Sequence, residues 1–238
     1  MSLQKSFLKN SITYKIYVYY NLYIRHKAHK KREFYSQWGE DRFIKDFFRN
    51  KSKGFYVDIG SFHPIMYSNT CCLFDIGWSG MNIDINQTAI DMFNIIRPND
   101  YNICAAISDK EEKKDIYFDG PFSPVNTITK SFYEDSNKQI SFKYLEKKKI
   151  LTKKFDDIIK NIIDLPKINF LNIDCEGHDY SALKGFNLEL HNPDLICIET
   201  HHVDNSEIIE YRELLRLLQD HNYTKIKKYG PSSIFIKS

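Results

Sequence analysis

Between residues 55 and 86 two short apolar runs each close on an aspartate beside a turn: Phe55-Tyr56-Val57-Asp58-Ile59-Gly60, then Met81-Asn82-Ile83-Asp84. Runs of this length, rich in β-branched and aromatic residues and bounded by turn residues, read as strands. From Phe34 onward such segments alternate with helix-like ones, which argues for a mostly parallel sheet. In a doubly wound sheet, ligands sit outside the carboxyl ends of the strands where the strand order reverses, and an acid ending the second strand can bind ribose hydroxyls. The turn after the first strand narrows the choice of ligand. A dinucleotide site needs G-x-G-x-x-G to bring backbone amides against a pyrophosphate. Here Asp58-Ile59-Gly60-Ser61-Phe62-His63-Pro64 offers one glycine and a proline. An acid so close to the glycine suits a cationic ligand, because a carboxylate accepts hydrogen bonds from an ammonium group. S-adenosylmethionine carries an ammonium, a ribose and a sulfonium.

Five segments in fixed order make the pattern specific: YSQWGED (Tyr35 to Asp41), VDIGSFHP, Ser68-Asn69-Thr70, GWSGMNID and NIDCEG (Asn172 to Gly177). Together they resemble the FkbM-type methyltransferase family, a branch of the class I S-adenosylmethionine-dependent enzymes, from about Tyr35 to the C-terminus. Many members carry a lysine where this chain has Asn172. The resemblance implies a Rossmann-like α/β fold, with a mostly parallel seven-stranded sheet ending in an antiparallel pair. It implies S-adenosyl-L-methionine as cofactor, with Gln37, Glu40, Asp58, Gly60, Ser61, Asn69, Asp84, Ile85, Cys104, Ala105 and Asp174 as its contacts. It further implies O-methylation of a hydroxyl on a sugar, a surface glycan or a related small molecule.

A chain of 238 residues suits one α/β domain with an appendage. We expect the domain over 34–238 and a helical extension over 1–33. Leu8, Ile12, Ile16, Tyr19 and Tyr23 recur at steps of four, four, three and four, an amphipathic helix. That extension carries eight Lys or Arg against Glu33, or +7, while residues 34–238 sum to −4. The body is therefore no nucleic-acid surface by net charge. The apolar stripe suits packing on the body or in a homodimer; the basic, tyrosine-rich character also suits a peripheral membrane contact. The cysteines at 71, 72, 104, 175 and 197 make no C-x-x-C pair, which fits a reducing, cytoplasmic compartment. No stretch of about 18 apolar residues is present to span a bilayer.

Helices are expected over Gln37–Phe48, 70–76, Thr88–Ile96, Phe155–Ile163 and Glu207–Asp220. Strands are expected over 55–60, 81–85, Asn102–Ile107, Ile168–Asp174, Leu195–Glu199, Thr224–Lys228 and Ser233–Lys237. Residues 110–150 break the alternation as an irregular insertion, suited either to substrate recognition or to a solvated loop with a small hairpin. The fourth strand ends Asp174-Cys175-Glu176-Gly177-His178, and the fifth ends Glu199-Thr200-His201, both on the rim that carries Asp58 and Asp84. Methyl transfer to an alcohol needs alignment and removal of a proton. Asp174, Glu176, His178 and His201 are the candidate catalytic groups, although each could instead orient its own turn. Carboxylates here could also hold magnesium, and no metal ligand is assigned. Two other readings remain at this point: an NAD(P)-dependent oxidoreductase, which lacks its glycine fingerprint, and a non-catalytic module docking on a membrane or on glycan-synthesis partners.

Overall fold

The computed structural model describes residues 12–25, 34–121, 123–139 and 146–238. Among these a seven-stranded sheet forms the centre, in the order β3-β2-β1-β7-β8-β10-β9. Its members are β1 (Phe55–Ile59), β2 (Ser79–Asp84), β3 (Tyr101–Cys104), β7 (Ile168–Ile173), β8 (Leu195–Glu199), β9 (Tyr223–Tyr229) and β10 (Ser232–Lys237). β3, β2, β1, β7 and β8 run parallel, and β10 lies antiparallel between β8 and β9. Strand order reverses between β1 and β7, and open α/β sheets bind ligands in the crevice at such a switch point.

Both faces of the sheet are covered, which is why its central strands read as apolar runs rather than alternating ones. Side-chain alternation sorts them. Phe55, Val57, Ile59, Leu171, Ile173, Ile196 and Ile198 pack with α6 (Phe155–Ile159), α7 (Asp179–Lys184) and α9 (Tyr211–Asp220). Tyr56, Phe170, Leu195, Cys197 and Ile234 pack with α2 (Glu40–Phe47), α3 (Cys71–Phe74) and Trp78. Asp58 and Asn172 share the α2/α3 face, because they lie two residues beyond Tyr56 and Phe170, and the register sets them side by side.

Several boundaries differ from the sequence reading. α2 starts at Glu40 rather than Gln37, because Gly39 stands at φ +90, outside the helical range. The run expected as one strand over Asn102–Ile107 divides at Ala105. β3 pairs with β2, while β4 (Ala106–Ile107) leaves for a three-stranded sheet, β4-β6-β5. The insertion is thus more than a loop: β5 (Lys113–Phe118) pairs antiparallel with β6 (Glu146–Lys153), and α5 (Lys130–Gln139) lies between them in sequence. The helix expected from Glu207 begins at Tyr211, since Glu207 bridges to His201. In the extension, α1 (Ile12–Tyr20) continues into a π-turn over Asn21–Arg25, and it docks on α4 (Gln87–Ile96). Leu8 and the basic run from His26 lie outside the described residues. No helix among those described is long and apolar enough to cross a membrane.

Candidate functional site

A cavity opens at the carboxyl ends of β1, β2 and β7. Ile59 and Gly60 come from β1 and its turn, Ile83 to Asn86 from β2, and Ala105 from the β3–β4 junction. Asp174, Cys175, Glu176 and His178 form the β7 side. Gly60 takes φ +84, and a Cβ there would lie 1.7 Å from the carbonyl oxygen of Asp174, so only glycine lets the first turn cross the end of β7. Asp84 is fixed in place by backbone: Oδ1 accepts from the Asn86 N–H at 2.6 Å and Oδ2 from the Phe62 N–H at 3.0 Å. Burial pushes its carboxyl up to about 6. Asn86 caps α4, its side chain accepting from the Thr88 N–H, and its amide donates to the Pro121 carbonyl across the cavity.

Asp58 turns the other way. Its carboxylate accepts from Thr70 Oγ1 at 2.8 Å and Asn172 Nδ2 at 2.9 Å. Asn69 Nδ2 donates in turn to Asn172 Oδ1 at 2.9 Å. Behind this network lies Arg97, wholly buried, whose guanidinium donates to Thr70, Ser68, Tyr56 and the Pro64 carbonyl. Arg97 thereby ties the loop after β1 to the sheet and supplies the charge that offsets buried Asp58. A sequence signal for it exists: a lone arginine closing an apolar helix beside Pro98. Ser61 Oγ and Asn69 Oδ1, both buried, find no hydrogen-bond partner among the described residues. Buried polar atoms are rarely left so, and both sit in the loop that borders the cavity. They fit a bound ligand with donors, such as an ammonium group.

The β7 end concentrates acid. Burial, then the neighbouring carboxylates Asp179 and Glu40, hold Asp174 well above the ordinary carboxylate range. Glu176 is raised likewise by burial and by Asp174. Glu199 is raised by burial and by Asp174. The turn that presents Glu176 is unusual: Glu176 takes φ +51 and Gly177 φ +83, a left-handed pair that a side chain adopts only at a cost. Asp179 holds it there by accepting from the N–H groups of Cys175 and Gly177. His178 lies against Ser108 Oγ at 3.1 Å, and burial pulls its imidazole down to about 4, so it is neutral at physiological pH.

A roof comes from the insertion. Ser123, Pro124, Asn126 and Ile128 line the cavity, while Thr127 and Thr129 donate to the carbonyls of Glu176 and Gly177. The sequence leaves the insertion either to substrate recognition or to a solvated loop with a small hairpin; its individual residues carry no local signal, since their placement depends on the β5–β6 pairing. The profile of the methyltransferase FkbM domain matches residues 50–225. The chain belongs to the FkbM methyltransferase family. No curated protein and no solved structure matches it.

Of the residues singled out from the sequence, the FkbM domain brings Gly60, Asp84, Ile85, Ala105, Asp174, Glu176 and His178 around one cavity. Asp58 and Asn69 stand behind it in the buried network, and Ser61 borders it. Gln37 is exposed on the segment leading to α2. Glu40 is buried and accepts from the Trp38 N–H, with its carboxyl raised by burial. Cys104 is exposed, its thiol toward the Ile85 carbonyl. His201 stands apart, its Nδ1 on Thr200 and its ring on Tyr211. Ser36 Oγ accepts from the Gly39 N–H just before α2. Among the described residues, no group of three or more His, Cys, Asp or Glu is placed to hold a metal ion.

Proposed function

We propose that this methyltransferase uses S-adenosyl-L-methionine to methylate a hydroxyl, of a sugar in a glycan or of a related small molecule. One observation carries the cofactor assignment: Asp84, Asp174 and Glu176 line the cavity together, and among the described residues no lysine or arginine does. Such a lining attracts a cation and repels a pyrophosphate, which disfavours a nicotinamide dinucleotide. Asp84 would take the ribose hydroxyls at the end of β2, with Ile83, Ile85 and Ala105 as the apolar bed beside it. Ser61, between the cavity-lining Gly60 and Phe62, would supply an acceptor for the amino-acid end. The cofactor supplies an electrophilic methyl group on a sulfonium.

The chain then has two tasks. The roof over Ser123 to Ile128 excludes water and leaves the acceptor hydroxyl facing the Asp174–Glu176 pair. One carboxylate of that pair takes the hydroxyl proton. Bases work best with a pKa near the operating pH, and burial beside like charge has moved both groups in that direction. Neutral His178, with its depressed pKa, serves as a hydrogen-bonding partner rather than as the base. Calorimetric titration of the full chain with S-adenosylmethionine, S-adenosylhomocysteine and NAD tests the reading. Heat from the first two and none from NAD is expected; the reverse pattern refutes it.

A further inference from the structure

The apolar stripe of α1 faces away from the domain. A second stripe fastens the helix: Val18 and Leu22 are buried on Met92 of α4, with Tyr14, Ile95 and Ile96 around them. Tyr14 Oη also donates to Asp91 at 2.5 Å. With that face inward, Ile12, Ile16 and Ile24 stand 75%, 62% and 62% exposed. Tyr19 and Tyr20 are exposed on the same groove, and Lys15 lies along it. Scattered exposed leucines or isoleucines need no explanation, but a contiguous apolar strip marks an interaction surface.

Charge decides what covers it. Residues 1–32 contain Lys5, Lys9, Lys15, Arg25, Lys27, Lys30, Lys31 and Arg32, and no acid. A two-fold contact with a second copy through this strip would bring each basic segment against its own image, which costs energy. An anionic lipid surface complements the same segment. Tyrosine rings settle at the headgroup level, isoleucines reach the acyl boundary, and each Lys or Arg near an anionic bilayer adds attraction. We propose that α1 lies along an anionic membrane surface with Ile12, Ile16 and Ile24 inserted, and so carries the methyltransferase as a peripheral membrane protein. The proposal is independent of the cofactor assignment.

Sedimentation of the full chain with phosphatidylcholine vesicles, with and without phosphatidylglycerol, tests it. Binding to the mixed vesicles, released by high salt and absent from the neutral ones, is expected. Lys30→Gln with Lys31→Gln should lower partitioning roughly 30-fold, at about 1 kcal/mol per charge. Ile16→Ser with Ile24→Ser should lower it too while leaving the circular dichroism and thermal unfolding unchanged, because both side chains are already in solvent. Failure to sediment with the anionic vesicles at low salt overturns the proposal. So does a dimer that the isoleucine variant dissociates in the absence of vesicle binding, which would make a second copy the occupant. Retardation of duplex DNA by a chain that ignores vesicles would assign the basic segment to nucleic acid and overturn it equally.

Discussion

Affinity for S-adenosylmethionine should fall steeply in acid. The Asp84 carboxyl is pushed up to about 6, and burial beside like charge raises Asp174 and Glu176 in the same direction, so in mild acid the ligand-free cavity holds protons that a cationic ligand must expel. For a single group titrating near 6, the ionised share drops from about nine-tenths at pH 7 to about one-tenth at pH 5. That weakens binding about tenfold, or about 1.4 kcal/mol. Asp174 and Glu176, raised in the same direction, add to the loss. Ligand-free stability should move in the opposite direction. A carboxyl whose folded pKa lies above its unfolded value of about 3.9 favours the folded state at low pH, and that contribution is lost as pH rises through about 6. Calorimetry between pH 5 and 8, repeated in buffers of different ionisation enthalpy, gives both the affinity and the number of protons released. A flat affinity with no buffer dependence would show that the carboxylates do not face the cofactor, and the electrostatic reasoning would fail with it.

Asp84→Ala should weaken cofactor binding about 10–100-fold, the loss of a charged hydrogen-bonding partner; calorimetry on the folded variant reads it. Asp174→Asn and Glu176→Gln keep shape and remove charge, so turnover with a hydroxyl acceptor should drop about 10²–10⁴-fold while the protein still binds S-adenosylhomocysteine. Normal turnover by both variants would move the base elsewhere. Gly60→Ala forces a Cβ into the Asp174 carbonyl and should unfold the protein or abolish ligand binding, as thermal unfolding with and without S-adenosylhomocysteine will report. Arg97→Met should destabilise by about 3–5 kcal/mol because Asp58 loses its cation; adding Asp58→Asn should recover part of that loss in denaturant titrations.

What the sequence disclosed is what depends on local pattern. β1, β2, β7 and β8 are continuous apolar runs stopped by acids, and their ends gave Gly60, Asp84, Asp174 and Glu176 directly. The two strand-end aspartates read alike, yet they differ in the structure. Asp58 lies inside its strand on the α2/α3 face and is consumed by Thr70 and Asn172, whereas Asp84 ends its strand at the cavity. Only the register between β1 and β7, a pairing across more than a hundred residues, distinguishes them. The same limit hid how the insertion joins the domain, since Ala106 pairs with Thr152 and nothing local announces it. The extension shows a different limit. Its residues carry two apolar stripes, Ile12-Ile16-Tyr19-Tyr23 and Tyr14-Val18-Leu22, and periodicity establishes that a face exists without saying which one turns inward. The packing of Met92 and the hydrogen bond to Asp91 decide it.

Helix α4 connects two parts of the molecule described separately above. Its cap, Asn86, borders the cavity and its amide reaches the Pro121 carbonyl beside the roof, while Thr88, Asp91, Met92, Ile95 and Ile96 along it hold the inner face of α1. At 1.5 Å per residue, the ten residues of α4 run about 15 Å, and α1 rests along most of that length. A helix of that length is a stiff spacer. Whatever the outer face of α1 rests on is thereby coupled to the rim of the cavity through a single helix.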